Sequence, residues 1–588
     1  MRRLVLILPL VTGIVYAQPN LQWKKHDIGT LTGVVTNQGA QWAAETDYEW
    51  QWIYYEAPPG SGVEHMGEGG LWVGGILDDD TLVTVTTGWA SPSHFETYPT
   101  DSSWDTIWVA GKGDTIDIPY WPEYVAMSEQ DFVCRYCDYF WTSIVEHKPL
   151  NIQVIERSYC WGFEPVDEFI MFDYFVVSKN AETIHDVYLC YWLDANIGFR
   201  GTSWAFGQDD RSWFKGEHIT AVAFEEPRGV DGITEYPVLA ARVFPPGEPR
   251  DTTFKWWGQQ DTPQSMDPDR YKEMSDGYIK PPQAVATGSA LIVSLGPYEM
   301  NYGDTLLFTV ALFTAKDTLE SFRRNLGLIE EYYPDWNFPS PPPSPPLSVE
   351  PRNHGVKLTW KWEAGDPGTN PEDFEDESRL DGILRPFAGY RVYRSTLGSN
   401  GPWTLLGEYD VEGDSFGFDM GIEYEYLDDG ILNNIAYYYA VTSFALPDTV
   451  SGFLNLESSK AINAVEVFPG PPPAEDIGKV RVVPNPYRGD VDYTAYNPPW
   501  ETHPPGRPWM EQDRRIQFVN LPKRCTIKVF TLAGDLVYTI EHDDPTQGFE
   551  DWNLVSRVGQ AIGSDIYLFT VEDHDTGNIQ RGKFVVIK

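Results

Sequence analysis

Positive charge is scarce in this sequence: 43 lysines and arginines stand against 87 aspartates and glutamates, a formal balance of −44 over 588 residues. A surface of that sign repels phosphate backbones and anionic lipid headgroups, which argues against nucleic acid or a membrane surface as partner. Cysteine is scarce as well. The five residues Cys134, Cys137, Cys160, Cys190 and Cys525 are an odd number, so at least one thiol stays unpaired. Beyond the first 17 residues no apolar run is long enough to span a bilayer as a helix, so no transmembrane helix is expected in the mature chain. The common catalytic signatures are missing too: there is no H-E-x-x-H, G-x-S-x-G, P-loop or glycine-rich dinucleotide turn. Ten histidines are scattered with none paired at ligand spacing. Nucleophilic and zinc mechanisms have no support, and no catalytic residue is assigned.

What is present is apolar and aromatic. Hydrophobic residues make up 42%, with 23 Trp, 33 Tyr and 29 Phe, enough for several packed cores. Residues 1–17 combine Arg2 and Arg3, the apolar run LVLILPLVTGIVY and Ala17, the pattern of a secretory signal peptide cut before Gln18. Export permits disulfides, and the candidates are Cys134–Cys137, a local C-x-x-C, and Cys160–Cys190, in neighbouring strand-like runs.

From 18 to 336 the chain reads as strand after strand. NIQVIERSYCW (Asn151 to Trp161), EFIMFDYFVVS (Glu168 to Ser178) and HDVYLCYWLD (His185 to Asp194) are rich in β-branched and aromatic residues between turn formers. Many strands without intervening helices predict a large antiparallel sandwich. One helix is expected to close it, opened by a capping box at Asp317 and Glu320, with Leu319, Phe322, Leu326, Ile329 and Tyr333 on one face. Proline-rich segments at 337–351 and 468–479 predict semi-rigid spacers and bound a middle domain, 352–467, and a last one, 480–588. The fold class expected is mainly β, as tandem antiparallel β-sandwich domains.

In the middle domain VKLTWKW, GYRVYRS, WTLLGEY and GILNNIAYYYAVTS fall at sandwich spacing. Over about Pro346 to Val467 these residues resemble a fibronectin type III domain, with Trp360 as core tryptophan and Tyr437 at the tyrosine corner. Alternation turns Tyr437, Tyr439 and Val441 inward. Glu363 to Pro386 is an insertion with eight carboxylates. Asp373, Glu375, Asp376 and Asp381 are the calcium candidates there, since hard cations want several oxygen ligands. The D-x-D-x-D-G repeat is missing, and a solvated acidic loop is the competing reading. Calcium is the one cofactor considered.

The last stretch carries PNPYRG, IQFVNLP, a strand pair turning at Ala533-Gly534-Asp535, WNL, GSDIYLFTV and GKFVVIK. In order and composition it resembles the C-terminal sorting domains of the type IX secretion system and the related immunoglobulin-like domain of flagellar hook-capping proteins. The resemblance implies outer-membrane secretion machinery as partner and a secreted or outer cell-surface location on a Gram-negative bacterium. Gly582, Lys583 and Lys588 stand in the closing tail of that pattern. Asp492 to Arg514 departs from it as a long insertion.

Within 18–336, Trp204, Trp213, Trp256 and Trp257 lie in glycine-rich and polar surroundings, where an exposed ring can stack on a sugar. Trp256 and Trp257 stand out because adjacent strand residues cannot both face one core. Two groups of carboxylates, Glu164, Asp167, Glu168 and Asp173, and Asp194, Asp209 and Asp210, are the material for a hydrolase with paired acids. Among so many acids, sequence proximity carries little weight. The leading reading is a secreted or cell-surface protein of structural, adhesive or glycan-binding role, partnered by an extracellular glycan or surface protein. The alternative is a secreted polysaccharide- or protein-degrading hydrolase.

Overall fold

The structure is a computed structural model that describes residues 20–42, 54–87, 95–100, 105–140, 148–199, 206–225, 236–248, 250–258, 266–316, 319–366, 368–413, 417, 420–474, 478–503 and 509–588. The leader 1–17, Trp204 and Asp317 lie outside them.

Two antiparallel sheets dominate the first part. The larger has eight strands in the order Asp210–Lys215, Thr220–Glu225, Val238–Phe244, Thr305–Thr314, Phe169–Ser178, Ile152–Cys160, Gln130–Cys137 and Trp108–Ala110. The smaller runs Asp251–Trp257, Ser289–Met300, Ile184–Phe199 and Val63–Leu77, the last pairing with both Tyr55–Glu56 and Asp80–Val85. Alternate residues of the two sheets meet in one core: Phe172, Tyr174, Phe308 and Val310 from the larger face Leu71, Leu189, Tyr191 and Val293 from the smaller. His26 is sealed beneath this body, stacked on Phe132 at 4.1 Å. Burial pushes its pKa down to about 3.

Both sheets are also apolar on their outer faces, and each has a helix over it. Helix α1, Asp267–Ser275, sets Met274 on Trp72, Trp192 and Ile292 of the smaller sheet. Periodicity gives no sign of it, since only Arg270 and Met274 of its nine residues are buried. Helix α2 spans Glu320–Tyr332 with Leu319 at its N-cap position, and the predicted capping box falls on Asp317, outside the described residues. Its Phe322, Leu326 and Ile329 cover Met171, Ala311 and Phe313 of the larger sheet, as the periodicity predicts.

The proline-rich stretch after α2 is packed rather than a free spacer. Phe338 and Trp336 join the α2 cluster, which continues into Ala445, Phe453 and Leu456 of the middle sandwich. Ser443 Oγ donates to the carbonyl of Pro342 at 2.7 Å, and Asn463 Nδ2 to that of Pro345 at 2.9 Å. This sandwich sets three strands, Ser348–Arg352, Gly355–Thr359 and Glu425–Asp429, against four, Thr404–Asp410, Phe387–Ser395, Tyr437–Ala445 and Val465–Val467. That strand order is fibronectin type III-like. Trp360, Tyr437, Tyr439 and Val441 share its core, and the Tyr437 hydroxyl accepts from Leu432 N at 3.1 Å.

The last sandwich pairs Arg481–Val483, Ile516–Val519 and Phe549–Trp552 in one sheet. Tyr487–Arg488, Ile579–Ile587, Asp565–Asp573, Arg524–Phe530 and Leu536–Asp543 form the other. It leans on the middle one: Phe468 and Phe549 lie 5.5 Å apart, and Trp500, from the 492–514 insertion, packs against the middle core. Among the described residues no helix is long and apolar enough to cross a membrane.

Phe453 ties the first two bodies together, so Phe453→Ala should cost about 3–5 kcal/mol. Calorimetry should then resolve the middle sandwich melting ahead of the first body. Val450→Ser, at a residue 63% exposed, should leave the melting profile unchanged.

Candidate functional site

The edge of the larger sheet presents Trp213, whose surroundings form a groove. In Asp210–Lys215, alternation turns Ser212 and Phe214 inward, Phe214 stacking on Phe254 at 5.0 Å, and leaves Trp213 on the outer face. There Trp213 lies opposite Val222, with Arg211 opposite Phe224, and Phe322 of α2 approaches its ring at 6.1 Å. These residues with Val238 and Gln283 line a groove of about 500 Å³. Gln283 fixes one wall, its N–H donating to Ser212 O at 2.9 Å while its Oε1 accepts from Ser212 N at 3.0 Å. The groove is thus mostly apolar and held by backbone bonds. It suits a flat, weakly polar ligand face.

Trp204 lies outside the described residues, and Trp256 and Trp257 lie elsewhere. Trp256 and Trp257 do take opposite faces, but each face has its own core. Trp256 packs on the central core with its indole N–H donating to Pro281 O at 2.8 Å and Lys280 Nζ 3.7 Å over its ring. Trp257 packs outward, 6.2 Å from Trp192. The structure does not bring them to Trp213.

The carboxylates divide differently from the sequence grouping. Asp167 accepts from Thr30, Glu168 from Asn325, and Asp173 from Tyr159, Thr309 and Arg157, so this group ties elements together. Asp210 accepts from Ile197 N at 2.9 Å. Asp194, however, stands directly opposite Glu68 in the register of the two central strands of the smaller sheet. Directly opposed side chains have Cβ atoms ~4.5–5.5 Å apart. Both are buried, beside the stacked Trp72 and Trp192 rings, which lie 5.2 Å apart. Glu68 accepts from the Thr87 hydroxyl, and burial pushes its pKa up to about 7. Sequence reasoning passed over Glu68. The signal was a carboxylate in a glycine-rich strand, VEHMGEGGLWVGG, at the alternation step that Trp72 also occupies.

The acidic loop does not assemble a metal site. Asp373 binds Asn370, Glu375 pairs with Arg385 at 2.7 Å, and Asp381 pairs with Arg379. Asp376 accepts from Ser340 N at 2.9 Å and from Ser378. Each of the four is spent on its own neighbour, and no group of three or more metal-binding side chains forms among the described residues.

Neither predicted disulfide forms; all five thiols are free and buried. Cys134 and Cys137 sit three residues apart on one extended strand, so their side chains leave opposite faces, too far apart to bridge. Cys160 belongs to the larger sheet and Cys190 to the smaller, where it faces outward among Trp72 and Trp192.

In the tail, Gly582 serves packing: a Cβ there would fall 2.2 Å from the Phe569 ring, its cross-strand neighbour. Lys583 is exposed, and Lys588 Nζ pairs with Glu511 at 2.9 Å.

No family model matches the chain. No curated protein matches it. Among solved structures, the central fibronectin-III array of RIM-binding protein is similar over 42% of this chain and 69% of that one, at 13% identity and a TM-score of 0.14. A two-domain fibronectin type III segment of chicken tenascin is similar over 41% of this chain and 98% of that one, at 9% identity and a TM-score of 0.14. A polysaccharide lyase is similar over 76% of this chain at 9% identity and a TM-score of 0.23; the chain spans 46% of that enzyme's length. At such scores these likenesses carry no argument. The fibronectin type III-like assignment rests on the strand order and core described above.

Glu68 gives the smaller sheet a pH signature. The folded chain holds its proton up to pH about 7. The unfolded chain releases it near ~4.3. Stability from this group is therefore full below that lower value and is lost as pH rises through about 7. Glu68→Gln should gain on the parent between pH 5 and pH 8 in urea-unfolding midpoints. An equal difference at both pH values would mean that Glu68 titrates as in an open chain.

Proposed function

We propose that this chain is a secreted or cell-surface protein of adhesive or ligand-binding role, exported by its N-terminal signal peptide and a C-terminal domain of type IX sorting kind. The observation that carries the binding role is the Trp213 groove, an aromatic and apolar surface held rigid at the edge of the largest sheet. Three sandwiches in a row, joined by packed rather than slack connections, suit a rod that holds such a groove away from an anchoring end. Its partner is an extracellular glycan or surface protein with a flat face to lay on Trp213. Gly582, Lys583 and Lys588 belong to the surface offered to the export machinery.

A second reading rests on Glu68 and Asp194, opposed on a tryptophan-bearing face with Glu68 protonated near neutrality. A raised acid beside a second carboxylate is the arrangement of a glycoside hydrolase, with Glu68 as proton donor. Glu68→Gln and Asp194→Asn, assayed on polysaccharide panels, test it: turnover abolished by either substitution supports hydrolysis, and a parent without turnover removes it.

Protease added to intact Gram-negative cells making the full chain should digest it, and deletion of 480–588 should leave it protected in the periplasm. Protection of the full chain would refute the export reading. Trp213→Ala should lower binding of the purified, folded chain to the matching glycan or cell surface by about ten-fold, because a stacked aromatic contributes on the order of 1–2 kcal/mol.

A further inference from the structure

The insertion that interrupts the last sandwich builds a pocket of its own. It leaves the sheet after Tyr487–Arg488 and folds back where Trp500 N donates to Tyr493 O at 3.0 Å, placing Glu501 beneath Tyr493. A pocket of about 370 Å³ opens between Asp492 and Tyr493 on one side and Trp509 and Arg514 on the other, with Glu501 in its lining. That volume lies at the lower end of the ~300–1,000 Å³ of small-molecule sites.

Glu501 is the informative residue. Only 3% of it is exposed, and both its hydrogen bonds, from the Tyr487 hydroxyl at 2.6 Å and from Arg515 N at 3.2 Å, go to Oε1. Oε2 takes neither and is left to the pocket. A carboxylate this enclosed costs stability unless its oxygens are satisfied, so an acceptor kept open asks for a donor from outside. Asp492 stands exposed at the rim, where the Thr494 N–H and hydroxyl donate to its Oδ1 and the Ala495 N–H donates to the same carboxylate.

The charge around the pocket narrows what that donor can be. A cation would face the Arg514 guanidinium, which lies 4.8 Å over Trp509, donates to the Tyr487 hydroxyl at 2.9 Å and is itself paired with Glu511 at 2.6 Å. An anion would face Glu501 and Asp492. A neutral polyol meets neither repulsion: its hydroxyls donate to Glu501 Oε2 and to Asp492 at the rim, while its C–H face lies against Trp509, the Tyr493 ring being stacked already with Tyr487 at 5.3 Å and Tyr496 at 6.1 Å. We infer that the pocket formed by Asp492, Tyr493, Glu501, Trp509 and Arg514 binds a neutral sugar residue. This site is separate from the Trp213 groove and independent of the export reading.

The test uses the purified full chain on an array of immobilised neutral and acidic glycans, followed by calorimetry with free glucose, galactose, mannose and N-acetylglucosamine. At least one neutral sugar should bind. Glu501→Gln, which turns Oε2 into a donor, should weaken it about ten-fold, and Asp492→Asn and Trp509→Ala should weaken it too. Trp213→Ala should leave it unchanged. Should Glu501→Gln lower the melting temperature, the two rim variants decide the matter alone. The proposal fails if no neutral sugar binds, if only acidic glycans bind, or if binding survives both Asp492→Asn and Trp509→Ala.

Discussion

The eight-stranded sheet is apolar on both faces, and the placement of α2, the proline stretch and the middle sandwich depends on that. One face is covered by the smaller sheet. The other would expose Met171, Ala311 and Phe313 to water, at ~25 cal/mol for each Å² left uncovered. α2 covers part of it, Trp336 and Phe338 extend the cover, and Phe453 and Leu456 of the middle sandwich complete it. The prolines after α2 have no N–H to satisfy and so can lie against the middle sandwich at little polar cost. A stretch that composition marks as a semi-rigid spacer is thus packed along its length against the middle sandwich.

Much of this was legible. Strand identity follows from a period of two, and the inward turn of Tyr437, Tyr439 and Val441 needed nothing more. α2 was legible because Phe322, Leu326 and Ile329 repeat at helical steps; α1 was not, because a nine-residue helix buries only two side chains. Beyond the single element, sequence reasoning weakened. Whether Cys160 meets Cys190 depends on which sheet each strand joins, and that is decided by pairings tens of residues apart.

The candidate sites show the same limit. Alternation correctly separated Trp256 from Trp257, yet could not reveal that a sheet apolar on both faces half-buries each against its own core. In the acidic loop, whose calcium reading stood beside that of a solvated loop, Arg379 and Arg385 pair with Asp381 and Glu375 in place. Glu68 was hidden among 87 acids until the register set it opposite Asp194. Chemistry in this chain is cross-strand, and cross-strand neighbours are invisible to a reading that moves along the chain.

The five thiols have one further consequence. Burial raises all of them, Cys137 to about 11 and Cys525 to about 12, so almost none of the reactive thiolate exists at neutral pH. The fold owes nothing to an oxidant and offers nothing to one. Once folded, the protein keeps the same covalent structure when the redox potential of the medium around it changes.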